Sequence, residues 1–96
     1  MNGTAVSAGV AAIALHEMYA QVALCQILTA MAVEALLGTD DSFNPFIAKV
    51  RPHPGQSDSA NSIHRFLAYP KLVYRNDGKK DMTLRQDRCS VRTASQ

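Results

Sequence analysis

Hydrophobic and small residues run almost unbroken from Ala5 to Leu37, with single polar residues at His16, Glu17, Gln21, Gln26, Thr29 and Glu34. Placed at 100° per residue, those polar positions scatter round a helix instead of gathering on one side. Alanine is the strongest helix former, and no proline interrupts the run. The pattern predicts one helix over about residues 4–37, with Thr4 as its cap and Gly38 as a stop that tolerates left-handed geometry. At 1.5 Å per residue such a rod is about 50 Å long, whereas a compact domain of this size has a radius of gyration near 13 Å. A helix apolar on all sides is built for the interior of a large helical core, and the residues after Gly38 are too few to cover it.

Beyond Gly38 the pattern shortens. Thr39-Asp40-Asp41-Ser42 supplies a polar turn and a cap, and Phe43, Phe46, Ile47 and Val50 fall at helical spacing, giving a short amphipathic helix over about residues 42–50 with Pro45 in its first turn. Arg51-Pro52-His53-Pro54-Gly55 breaks it. A third helix is predicted over about residues 56–69, with Ala60, Ile63, Phe66 and Leu67 as its buried stripe and Pro70 as its end. Residues 70–84 read as a loop, with a hairpin about Asn76-Asp77-Gly78 as the weaker reading. Residues 85–96 show no helical or strand period. The fold class is all-α: a long central helix of a bundle, two shorter helices and an irregular C-terminal loop. The chain reads as one partial bundle segment.

Composition narrows the class. Of 96 residues, 47% are hydrophobic and 19% charged, which is a core-forming and not a disordered composition. The first basic residue is Lys49 and the net charge is only +2, with no basic stripe interleaved with aromatics, so nucleic acid is a poor partner. Without a basic n-region the apolar start is not a secretory signal, and its six polar residues argue against a membrane span. Cys25 and Cys89 have neither disulfide nor zinc spacing, which points to a reducing, cytoplasmic compartment. Cys25 reads as a small hydrophobe in the core helix. His16-Glu17 opens like a zincin helix, but Ala20 stands where the second histidine would be. His53 and His64 read as ordinary surface histidines, which seldom bind metal, so no metal is expected.

Four stretches in fixed order carry a resemblance: Asn2-Gly3-Thr4-Ala5-Val6-Ser7; Val33-Glu34-Ala35-Leu36-Leu37-Gly38; Arg51-Pro52-His53-Pro54-Gly55-Gln56; and Gln86-Asp87-Arg88 with Arg92-Thr93 and Gln96. Together they resemble the aromatic amino acid ammonia-lyases, and the C-terminal wording is most similar to the fungal phenylalanine branch. The resemblance implies a large, mostly helical cytoplasmic homotetramer of phenylalanine and phenylpropanoid metabolism, with other lyase subunits as partners. It implies a methylidene-imidazolone prosthetic group, made from an Ala-Ser-Gly tripeptide, that expels ammonia from phenylalanine or a related aromatic amino acid and leaves trans-cinnamate.

By the same resemblance, Asn2 matches the asparagine beside the electrophile and substrate, and Gln86 a glutamine of that polar network. Arg92 matches the arginine that grips the substrate carboxylate, a task suited to its planar fork. Cys89 stands where the family has a catalytic tyrosine, and a thiol cannot place a donor at the reach of a phenol hydroxyl. Ala-Ser-Gly itself does not occur. The chain thus reads as an internal fragment, inactive alone. A non-catalytic helical assembly protein, or a degenerate paralogue that binds intact lyase subunits, is the alternative.

Overall fold

In a computed structural model, which describes residues 3–69, 72–73 and 89–96, the order of elements is α1 (Ala5–Ala35), a 3-10 turn (Asp41–Phe43), α2 (Pro45–Val50), α3 (Pro54–Phe66) and α4 (Cys89–Arg92). The described residues form no strand, and the all-α reading holds. The 70–84 loop and its hairpin alternative lie outside the described residues, apart from Leu72 and Val73. Within the stretch read as irregular, α4 forms a single helical turn.

Helix α1 spans 31 residues, and no side of it is markedly more apolar than another. Its ends differ from expectation. Thr4 occupies the N-cap position, but its side chain makes no capping bond. At the other end Leu37, not Gly38, takes the left-handed conformation, with φ of 52°. The Leu37 amide donates to the Glu34 carbonyl at 3.0 Å and the Gly38 amide to the Val33 carbonyl at 2.7 Å, the paired closing bonds of a Schellman motif. Gly38 is needed for space: a Cβ there would meet Val33 Cγ1 at 3.1 Å and the Val33 carbonyl oxygen at 3.2 Å.

That reversal brings the chain back along the C-terminal end of α1. Asn44 caps α2, its Oδ1 accepting from the Phe46 amide at 2.9 Å, with Pro45 next in line. The cap therefore lies beyond the Thr39–Ser42 turn expected to provide it. Pro54 begins α3, and Gln56, Ala60 and Ile63 form its buried face, continued by Leu67 at the next turn. Those positions follow i, i+4, i+7 and i+11, one side of a helix. Phe66, expected in the same stripe, lies 100° off Leu67 and is half exposed.

The core is a knot of Ala30, Val33, Phe43, Ile63, Leu67 and Val73. Only Phe43 of the α2 region enters it; Phe46, Ile47 and Val50 face outward. Along α1, burial is confined to Ala30 and Val33, while Val6, Val10, Ile13 and Tyr19 are more than half exposed. Cys25, expected as a core residue, is exposed too. On length and composition alone α1 could cross a membrane. The molecule measures 67 × 27 × 22 Å with a radius of gyration of 17.6 Å, well above the roughly 13 Å of a compact domain. It exposes 7750 Å², against about 5,400 Å² for a compact monomer of its mass, a surplus of about 2,300 Å².

Candidate functional site

The C-terminal turn docks on the knot through Val91, the partly buried hydrophobic residue of α4. With 100° between successive residues, a side chain at Val91 pointing inward sends those of Cys89 and Arg92 outward on neighbouring lines. The two meet there: Arg92 Nη2 donates to Cys89 Sγ at 3.6 Å. Thr93 closes the turn, its amide and its Oγ1 both donating to the Cys89 carbonyl, at 2.9 and 2.7 Å. Cys89 and Arg92 are exposed. Arg92 carries a planar fork of the type that pairs with carboxylates, whereas Cys89 offers only a weak donor.

Next to this turn a groove of about 270 Å³ opens between α1 and α3, with Met18, Val22, Cys25 and Gln26 on one side, Ser59 on the other and Ala94 at one end. Gln26 Nε2 donates to Ser59 Oγ at 3.4 Å, a long bond that ties the helices. Thr29 satisfies its hydroxyl within α1, donating to the Cys25 carbonyl at 2.8 Å. Sequence reasoning missed the groove: Gln26 and Ser59 are 33 residues apart, and neither spacing nor type links them.

Of the four residues singled out from the sequence, the structure brings Cys89 and Arg92 together; Asn2 and Gln86 lie outside the described residues. Among the described residues no cluster of His, Cys, Asp and Glu is suited to a metal ion. Two of the quoted motifs gain structural roles. Val33 to Gly38 is the Schellman stop of α1. In Arg51-Pro52-His53-Pro54-Gly55-Gln56, Pro54 opens α3, and the buried Gln56 accepts through Oε1 from Arg51 Nη1 at 3.2 Å. Gln56 was not among the expected buried residues; its place one turn before Ala60 was the available signal.

The sequence family described as aromatic amino acid lyase matches residues 1–96. Phenylalanine ammonia-lyase of Mycosarcoma maydis is 49% identical over 104 aligned positions, covering 100% of this chain and 14% of that protein. Phenylalanine ammonia-lyase 1 of Pleurotus ostreatus is 46% identical with the same coverage. A phenylalanine aminomutase (L-beta-phenylalanine forming) of Talaromyces islandicus is 44% identical over 99 positions, again covering 100% of this chain and 14% of the relative. No solved structure matched. The chain spans 14% of the length of these relatives, and the match runs through the Schellman stop, the Gln56 anchor and the Arg92 turn alike. This chain belongs to the aromatic amino acid lyase family.

Proposed function

We propose that the chain is part of a phenylalanine ammonia-lyase, in which L-phenylalanine loses ammonia without oxidation to give trans-cinnamate. The observation that carries this reading is the match over residues 1–96, joined to 49% identity with the Mycosarcoma maydis enzyme. Arg92 holds the substrate carboxylate in a bidentate grip. Asn2 and Gln86 supply hydrogen bonds to substrate and electrophile. Long helix α1, apolar on every side, fits the interior of an assembled helical bundle of several subunits better than a membrane. A reducing cytoplasm is part of the reading, supported by two free cysteines.

Breaking the Cα–N bond needs an electrophile to turn the amine into a leaving group and a base to take the β-proton. In the family that electrophile is the methylidene-imidazolone. The residues of this chain do not fit as its source. Ser7-Ala8-Gly9 has its first two residues exchanged and lies inside regular helix α1, where ring closure would dismantle the backbone hydrogen bonds. Ala94-Ser95 is followed by Gln96, whose side chain stands where glycine is required. No step of the reaction therefore runs through a group formed by these residues.

The test is a graft of this segment into the Mycosarcoma maydis enzyme in place of its own, with cinnamate followed in the near ultraviolet. The Cys89→Tyr graft is expected to form cinnamate and the Cys89 graft to be at least about 100-fold slower, the scale of a lost acid–base group. The 96-residue chain alone is expected to release none. A Cys89→Tyr graft that assembles like its parent yet makes no cinnamate refutes the reading. That result would favour a non-catalytic paralogue that binds lyase subunits, a reading that Cys89 in the tyrosine position also motivates.

A further inference from the structure

We infer that Val91 is a positioning residue: by seating on the knot formed by α1, α3 and the 3-10 turn, it fixes the rotation of α4 and so the aim of Arg92. The inference rests on the proposed role of Arg92 at the substrate carboxylate. Helix α4 is four residues long, too short to hold its own conformation, since an isolated turn fixes several dihedrals for one hydrogen bond. Its orientation must come from contacts. Cys89, Ser90 and Arg92 are exposed and Val91 is half-buried, packed against the cluster of Ala30, Val33, Phe43, Ile63, Leu67 and Val73.

The geometry of one turn then does the rest. Val91 pointing inward leaves the outward arc to Cys89 and Arg92, which converge at 3.6 Å. The two Thr93 bonds to the Cys89 carbonyl close the turn but cannot choose which side faces the knot, because both lie within it. A polar residue of similar volume at position 91 keeps those bonds and loses the reason to face inward. The guanidinium then samples a range of directions, and a bidentate contact tolerates little misalignment.

Two measurements test this and separate it from the lyase reading. In the 96-residue chain carrying Cys25→Ser, a nitroxide label on Cys89 reports the motion of α4. Val91→Asn is expected to give a distinctly more mobile spectrum, and Val91→Ile to restore the original one. Equal spectra for Val91 and Val91→Asn overturn the inference. In the Cys89→Tyr graft, Val91→Asn is expected to raise KM for phenylalanine about tenfold or more with kcat within about threefold, and Val91→Ile to recover it. An unchanged KM there also overturns the positioning role. If Arg92→Ala leaves KM unchanged while the label still responds to Val91→Asn, the assignment of Arg92 to the carboxylate fails and the pinning of α4 stands.

Discussion

Replacing Leu37 with glycine probes how the long helix ends. Leu37 holds φ at 52°, a conformation that costs a side chain with a Cβ about 1–2 kcal/mol and glycine almost nothing. Against that gain stands the greater freedom of glycine in the unfolded chain, about 0.5–1 kcal/mol. The lost packing is small because Leu37 is 54% exposed. The balance for Leu37→Gly is a gain of about 0.5–1 kcal/mol, which raises the melting midpoint of a domain this size by about 2–8 °C. The neighbouring substitution runs the other way. Gly38→Ala puts a methyl 3.1 Å from Val33 Cγ1 and 3.2 Å from the Val33 carbonyl. Val33 is 1% exposed in the knot and must shift by a few tenths of an ångström to admit the methyl, an overpacking expected to cost about 1–3 kcal/mol. Thermal melts followed by far-ultraviolet circular dichroism, at matched protein concentration, read both. A lower midpoint for Leu37→Gly would mean that Leu37 does not hold the left-handed conformation, and an unchanged midpoint for Gly38→Ala would mean that Val33 does not confine position 38; either result overturns this description of the stop.

Three further outcomes can be checked directly. Phe43→Ala, at the one α2-side residue in the knot, is expected to lose about 3–5 kcal/mol in urea titration; a loss below about 1 kcal/mol would mean that Phe43 does not anchor the return segment. Arg51→Ala leaves the buried Gln56 oxygen without its partner and should lose about 1–3 kcal/mol, whereas the double variant Arg51→Ala/Gln56→Leu should recover most of it; no recovery would place the Arg51 contribution elsewhere. The lone chain is expected to sediment as associated species because of its surplus surface of about 2,300 Å², against the ~800 Å² per partner of a standard interface. A monodisperse monomer at micromolar concentration would contradict the reading of α1 as a buried bundle helix.

How far the sequence could be read depended on how many residues shared each signal. Helix α1 was legible because some thirty residues without proline agree on it. The way it stops was not: Leu37-Gly38 invites glycine into the left-handed position, and only the close approach to Val33 shows that Gly38 serves another purpose. Ala60, Ile63 and Leu67 were legible as a stripe, while Phe66 beside them was misread because hydrophobicity does not fix the edge of a buried face. Phe46, Ile47 and Val50 satisfy helical spacing, yet α2 has only six residues and turns them outward. At the candidate site, Arg92 was singled out through the family motif and not through periodicity, since a single turn has no period to detect. The pairing of Cys89 with Arg92 and the inward seat of Val91 needed the fold.

The distance between the knot and the far end of α1 sets how this chain fares in a cell. Among the described residues the buried core gathers near Ala30 and Val33, while the N-terminal turns of the helix expose their side chains; held chiefly by backbone hydrogen bonds, those turns open with little resistance. An opened apolar segment is what chaperones retain and proteases cut, and such surveillance acts on the fraction that is uncovered. In the helical bundle proposed for α1, the abundance of this polypeptide should therefore follow the supply of the helices that would cover it: long-lived when made beside them, quickly cleared when made in excess.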